Sequence, residues 1–122
     1  MPRIADYLIV TQPRFTLKTG VDIDREFNFT LESQASLGSR AVLMFEVFVA
    51  SSVNNLLFEA RINGSSQISH TYTGFQSNTV HTIVDASLLR TGNNANNINF
   101  RILSGTGGLS ISDVVLFYQR DI

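Results

Sequence analysis

The stretch FEARINGSSQISHTYTGF, residues Phe58–Phe75, decides the fold class. Its first five residues, FEARI, alternate apolar and charged side chains, which is the period of a strand with one buried face. The Asn63-Gly64 pair that follows is the strongest short signal for a β-hairpin, because both central residues of such a turn need positive φ. The rest of the stretch is polar and aromatic. We therefore predict two antiparallel strands joined by a tight turn.

The same alternation recurs in two other places, REFNFTLE (residues 25–32) and NNINFRIL (residues 96–103). Two further stretches are apolar on both faces, RAVLMFEVFVA (residues 40–50) and DVVLFYQ (residues 113–119). We interpret these two as central strands, each covered on both faces or on one face and by a partner. Eight or nine short strands without a helical period predict an all-β, antiparallel β-sandwich, jelly-roll-like, as a single domain over residues 1–122.

Two local signals concern the connections between strands. The segment DASLLRTG, residues 85–92, predicts one short helical turn that Asp85 or Ser87 caps and Gly92 ends. The glycine-rich segment SGTGG, residues 104–108, lacks the lysine of a phosphate-binding loop. We predict that it forms a hairpin turn.

The composition excludes several classes of protein. The chain has 122 residues, 43% hydrophobic and 16% charged, so it can bury one core. A net charge of -1 without a basic block predicts no nucleic-acid partner. The absence of cysteine excludes disulfides, thiolate metal sites and cysteine nucleophiles.

The sequence leaves the compartment open. No apolar run approaches the roughly 20 residues of a membrane-spanning helix, so we expect no membrane span. The first ten residues, MPRIADYLIV, lack the charged and apolar pattern of a signal peptide. The chain is therefore expected to be cytoplasmic, or exported by a route that uses no signal peptide.

Several short motifs follow one another between about Val42 and Phe117. They are Ile62-Asn63-Gly64, Tyr72-Thr73-Gly74-Phe75, Val84-Asp85 and Leu89-Arg90-Thr91-Gly92-Asn93, with strands at 98–102 and 114–116 after them. This order resembles the galactose-binding-like β-sandwich domains, a jelly-roll family common as accessory modules of glycoside hydrolases. The resemblance implies a non-catalytic, lectin-like module with a glycan as partner. The chain departs from that family in having no tryptophan, the usual platform for a sugar.

The first candidate ligand site lies at the end of the opening stretch and comprises His70, Tyr72, Phe75 and Gln76. In an extended strand His70 and Tyr72 point the same way. An aromatic ring stacks on the C–H face of a sugar, and histidine and glutamine supply hydrogen bonds. The competing interpretation is that Ile68, His70 and Tyr72 line one inner face of the sandwich, with the phenol reaching the rim.

The second candidate ligand site is the asparagine-rich segment GNNANNIN, residues 92–99. Its amides are Asn93, Asn94, Asn96, Asn97 and Asn99, of which we select the first three as ligand-binding residues. An amide offers a donor and an acceptor, which suits hydroxyl recognition. The competing interpretation is turn chemistry followed by an exposed strand face.

Other chemistry finds little support in the sequence. Asp22, Asp24 and Glu26 alternate along one segment, but their spacing does not match a calcium-binding loop, so we predict no metal and no cofactor. Ser69, His70 and Asp85 are available for a triad, yet the sequence has no strand-turn-helix nucleophile elbow. We therefore predict that the chain is not an enzyme.

The doubly apolar strands suggest an interface. If alternate residues of the stretch 41–50 face the core, then Val42, Met44 and Phe48 face outward. Two such strands side by side would expose an apolar patch, which is typical of contact surfaces. This pattern predicts a homo-oligomer. It also supports an alternative function, a structural self-assembling subunit of a virion, a phage tail or an extracellular assembly without a small-molecule ligand.

Overall fold

The chain folds into two antiparallel β-sheets that face each other, as predicted. The computed structural model describes residues 3–36, 38, 40–49 and 53–121. The strands in these ranges are β1 (Arg3–Thr11), β2 (Phe15–Lys18), β3 (Asp24–Phe29), β4 (Ala41–Val49), β5 (Asn54–Ile62), β6 (Ser65–Tyr72), β7 (Gln76–Val84), β8 (Asn96–Thr106) and β9 (Gly108–Asp121). A three-residue 3-10 helix, Ala86–Leu88, separates β7 from β8. None of the helices in these ranges has the length and apolar character needed to cross a membrane.

The two doubly apolar stretches are central strands, which confirms their interpretation. The first sheet has the order β1-β9-β4-β7, and β2 also pairs with β9. The second sheet has the order β3-β8-β5-β6. Strands β4 and β9 therefore lie side by side in the middle of the first sheet. Strand β4 ends at Val49, and Ala50, the last residue of the predicted strand, lies outside the described residues.

The core lies between the sheets and is rich in aromatic rings. The alternating apolar residues of β5 and β8 all point into it, with Phe58 and Phe100 at most 1% exposed. These two rings stack at 6.2 Å between centroids. Phe45 of the opposite sheet meets Phe100 edge-on at 5.2 Å. The period of two seen in the sequence is thus the period of burial.

The predicted hairpin and helical turn are both present. Asn63 and Gly64 join β5 to β6 with φ of 49° and 84°, as the turn type requires. Asp85 caps the 3-10 helix, because its Oδ1 accepts hydrogen bonds from the backbone N–H and the hydroxyl of Ser87 at 3.0 and 2.9 Å. The backbone bond, and then the hydroxyl bond, hold the pKa of Asp85 below its usual value. The helix ends at Leu88, so Gly92 does not end it as predicted; Gly92 lies four residues further on, with φ of 71°.

The glycine-rich segment 104–108 does not form a hairpin, so that prediction is wrong. Strand β8 ends at Thr106 in the second sheet, and β9 begins at Gly108 in the first. The segment carries the chain from one sheet to the other. Glycine signals indicate that the chain turns, but they do not indicate which sheet receives the next strand.

Gly105 in this crossing has no room for a side chain. Its φ is 89°, and a Cβ atom there would lie 2.1 Å from the carbonyl oxygen of Asn55. We expect Gly105→Ala to lower the free energy of unfolding by at least about 2 kcal/mol, because backbone atoms must move to relieve the clash. Urea denaturation followed by circular dichroism measures the change.

Gly74→Ala is the matched control for this prediction. A Cβ atom at Gly74 meets nothing within 4 Å, and its φ is outside the left-handed region. We expect a change within about 0.5 kcal/mol. Equal unfolding midpoints for the two variants would contradict the tight crossing at Gly105.

Candidate functional site

A cleft opens where the edges of the two sheets meet. Strand β6 is an edge strand of the second sheet, and β7 is an edge strand of the first. In the register of β5 and β6, His70 lies opposite the buried Phe58 and Tyr72 lies opposite the buried Leu56. Directly opposed residues share a face of the sheet, so His70 and Tyr72 both point toward the space between the sheets.

This β6–β7 cleft has a volume of about 350 Å³ and a mixed lining. Its apolar wall consists of Phe58, Ile68, Tyr72 and Val80. Its polar residues are His70 and Asn78, and it is bordered by Thr79 and His81, whose side chains point to the outward face of the first sheet. An apolar wall with a few polar groups is the usual composition of a small-molecule pocket.

Tyr72 forms the floor of the cleft and His70 its rim. The Tyr72 side chain is 1% exposed, whereas His70 is exposed, and their ring centroids lie 4.6 Å apart. Burial raises the pKa of the Tyr72 phenol above its ordinary value of 10.0. A tyrosine with its ordinary pKa is already protonated at neutral pH, and burial strengthens that state, so the phenol keeps a hydrogen to donate.

Asn78 brings an unsatisfied acceptor to the cleft. Its Oδ1 atom is buried, and it has no hydrogen-bond partner among the described residues. The neighbouring Thr79 differs, because its hydroxyl donates to Glu46 Oε1 at 2.7 Å. A buried oxygen without a donor costs free energy, and a ligand would recover that cost if the Asn78 side chain turned its amide oxygen toward the cleft on binding.

The other two residues of the first candidate site lie outside the cleft lining. Phe75 is 69% exposed in the connection between β6 and β7. Its ring meets Phe48 edge-on at 5.7 Å, on the outward side of the first sheet. Gln76 is exposed at the first position of β7. The structure thus brings two of the four residues, His70 and Tyr72, into one site.

Asn96 is buried rather than available to a ligand, which corrects its selection from the sequence. It is 0% exposed. Its Oδ1 accepts hydrogen bonds from the backbone N–H of Arg90 at 2.8 Å and from Asn63 Nδ2 at 3.0 Å. Its Nδ2 donates to the Arg90 carbonyl oxygen at 2.8 Å. Because these hydrogen bonds join Arg90 in the loop to Asn63 in the hairpin turn, the Asn96 side chain holds the loop against the turn.

Asn93 and Asn94 are exposed, but they lie far from the cleft. Asn94 Nδ2 donates to the carbonyl oxygen of Thr91 at 3.2 Å, within its own loop. Asn96 ties the loop to the hairpin turn that precedes Ser65, the first residue of β6. Tyr72, in the cleft, is the last residue of β6. An eight-residue strand is about 24 Å long, so the two candidate sites lie at opposite ends of it.

The outward face of the second sheet holds the remaining polar residues of the sequence candidates. Asn97, Asn99, Asp24, Glu26 and Arg61 line a shallow groove of about 190 Å³ there. Asn97 donates to Glu26 at 3.4 Å, and Asn99 donates to Asp24. Many of these groups already form hydrogen bonds with one another, so a ligand would have to replace those hydrogen bonds.

The carboxylates that alternate from Asp22 to Glu26 do not gather around a common point. Asp22 pairs with Arg25 at 3.6 Å, and Asp24 meets Asn99. No group of three or more histidine, aspartate or glutamate side chains within the described ranges is placed to hold a metal ion.

Comparisons with known proteins match the fold and not the sequence. No protein-family model matches the chain, and no curated protein sequence matches it. Latent PorU from Porphyromonas gingivalis contains a similar structure, with a TM-score of 0.75 and 10% identity over 99% of this chain and 13% of that chain. A beta-porphyranase of glycoside hydrolase family 86 from Bacteroides plebeius gives a TM-score of 0.68 and 18% identity, covering 97% of this chain and 21% of that one.

A third similar structure has nearly the same length as this chain. It is the xylan-binding module CBM15, with a TM-score of 0.55 and 10% identity over 96% of this chain and 97% of that chain. The chain spans about a fifth or less of the two larger proteins. At these identities the likeness shows the fold alone. The chain is a jelly-roll β-sandwich.

Proposed function

We propose that the chain is a non-catalytic carbohydrate-binding module whose ligand occupies the β6–β7 cleft. The observation that carries this proposal is the combination of an apolar wall with the unpaired Asn78 Oδ1 beside His70 and Tyr72. The cleft volume of about 350 Å³ falls at the lower end of small-ligand pockets, which are about 300–1,000 Å³. The shared fold of the xylan-binding module gives a structural precedent.

The lining indicates a neutral sugar. Each sugar hydroxyl both donates and accepts a hydrogen bond, so one hydroxyl suits the Asn78 acceptor and another suits the Tyr72 phenol or the His70 imidazole. The C–H face of the ring packs on the apolar wall. Among the described residues, no aspartate, glutamate, lysine or arginine lines the cleft, so it offers no permanent charge to a charged sugar.

The same lining supports a binding role rather than catalysis. Most glycoside hydrolases cleave their substrate with two carboxyl groups that flank the bond. The described lining of the β6–β7 cleft offers amide, hydroxyl and imidazole groups instead. We therefore assign to the cleft recognition without bond cleavage.

The test is a panel of neutral oligosaccharides, followed by isothermal titration calorimetry with the tightest binder. We expect His70→Ala to weaken binding at least about tenfold, which corresponds to the loss of one good hydrogen bond and its ring contact. Ser69→Ala is the matched control, because Ser69 is the preceding residue of β6, is exposed and faces the opposite side of the sheet.

The loop at the other end of the sandwich provides a second control. Asn94→Ala should bind the same sugar as tightly as the wild type. The proposal fails if no oligosaccharide binds the wild type, or if Asn94→Ala loses affinity while His70→Ala keeps it.

The outward face of the first sheet favours a second candidate function, that of a structural self-assembling subunit. Val42 and Met44 lie on this face of β4, half-buried, beside β9. Phe48 lies further along the same face, where the Arg14 guanidinium covers its ring at 5.4 Å. Such a subunit would bind copies of itself and no sugar, so the oligosaccharide panel and the oligomeric state together separate the two candidates.

A further inference from the structure

The outward face of the first sheet carries two apolar rows that cross all four of its main strands. The strand registers align them as Tyr7, Phe117, Val42 and Ile83 in one row, and Ile9, Val115, Met44 and His81 in the other. We call these eight residues the outer apolar face. The sequence predicted only the contributions of β4 and β9, and the structure adds β1 on one side and β7 on the other.

No described segment of the chain covers this face. Tyr7 is 59% exposed, Ile83 58%, Ile9 47% and Phe117 40%. The N-terminal strand β1, which would be the natural cover, pairs with β9 in the plane of the same sheet. Contiguous apolar patches of this kind are uncommon on monomers and mark contact surfaces.

The polar groups around the face are arranged as at a protein interface. At one end Arg3 pairs with Asp121 at 3.1 Å. At the other end Glu46 is exposed and accepts a hydrogen bond from Thr79. Charged side chains are absent from the two rows themselves. An apolar centre with a polar rim is the common anatomy of protein contacts.

The size of the face suits a second copy of the chain. Four strands about 4.8 Å apart and nine residues long give the whole outward side of the sheet, which comprises the two apolar rows and their polar rim, roughly 19 by 30 Å, or about 600 Å² in projection. The accessible area of a surface corrugated by side chains exceeds its projection. A stable dimer of standard size buries about 800 Å² on each partner. One sandwich face against another therefore supplies the area that such a dimer needs.

We propose that two copies of the chain pack through the outer apolar face about a two-fold axis that runs along the strands, between β9 and β4. The axis lays β1 of one copy over β7 of the other, and β9 over β4. Tyr7 then meets the partner's Ile83, and Phe117 meets the partner's Val42, so that a large side chain faces a smaller one at each contact. Two sheets that pack face to face keep their strands within about 30° of each other, which this arrangement satisfies.

The first test is the mass of the protein in solution, measured by sedimentation equilibrium over a wide concentration range. We expect the wild type to dimerise, and Ile9→Lys to raise the dissociation constant at least about a hundredfold, because each copy would bury an ammonium group opposite the partner's His81, which offers it no negative charge. Ile23→Lys is the matched control, since Ile23 lies off the face and is 49% exposed, against 47% for Ile9. Circular dichroism confirms that each variant is folded.

The second test addresses the direction of the two-fold axis. Tyr7→Glu and Ile83→Lys should each weaken the dimer, whereas the double variant should dimerise at least about tenfold more tightly than either, because its Glu and Lys meet across the interface. A monomeric wild type, equal effects of Ile9→Lys and Ile23→Lys, or a double variant no tighter than the singles would overturn the proposal. A monomer would leave the face to a partner of another kind. The result does not depend on sugar binding and leaves the cleft proposal untouched.

Discussion

Replacing Phe100 with alanine is expected to lower the free energy of unfolding by about 4 kcal/mol, the largest effect of any substitution considered. Phe100 is 0% exposed and stacks on its sheet neighbour Phe58. It also meets Phe45 and Phe15 of the facing sheet, at 5.2 and 5.4 Å between centroids. Its removal leaves a cavity at the contact between the two sheets, and the closely packed rings around that cavity do not collapse to fill it.

Chemical denaturation monitored by tyrosine fluorescence and circular dichroism measures this loss. Phe75→Ala is the matched control, because it removes the same ring from a position that is 69% exposed. We expect that control to cost less than about 1 kcal/mol. Comparable losses for the two variants would show that the core is not built around Phe100.

Asn96→Ala is expected to cost about 3 kcal/mol, although the substitution removes only a small polar side chain. The side chain is fully buried and makes three hydrogen bonds, two of them to the backbone of Arg90 and one to Asn63. Alanine leaves the N–H and the carbonyl group of Arg90 and the amide of Asn63 short of a partner inside the protein.

Asn94→Ala removes the same amide from an exposed position two residues earlier and should change stability by less than about 0.5 kcal/mol. The same denaturation experiment compares the two variants. If Asn96→Ala were as stable as the wild type, the assignment of Asn96 as the buried link between the loop and the hairpin would be wrong.

Much of the fold followed from the sequence, because each strand signal is local. Alternation along FEARI and NNINFRIL reports which residues face the core, since successive side chains of a strand point to opposite sheet faces. The Asn63-Gly64 pair fixed the hairpin because few other residues tolerate positive φ at both positions. Apolar residues on both faces of β4 and β9 predicted their central positions.

The destination of the segment 104–108 was not predictable in this way. Its glycines permit a sharp turn, but the choice between a hairpin and a crossing depends on strands far away in the sequence. Strand β9 pairs with β1, β2 and β4 rather than with the strand before it. Such pairings are decided by the burial of the whole sheet.

The candidate site was predictable only in part, for a similar reason. The common direction of His70 and Tyr72 follows from their spacing on one strand. Their partners Asn78 and Val80 lie on β7, whose edge approaches β6 only because the two sheets stack. Asn96 was taken for a surface amide because asparagine is common in turns, and its burial depends on a hydrogen bond to Asn63, 33 positions away.

The most direct test of the proposed function is a two-dimensional NMR titration of the folded protein with the tightest-binding neutral oligosaccharide. The account predicts that backbone amide shifts change most in two segments that are separate in sequence, residues 70–72 of β6 and 78–81 of β7. Changes concentrated in the loop of Asn93 and Asn94, or on the face of Asn97 and Asn99, would contradict it. So would a spectrum that no oligosaccharide alters.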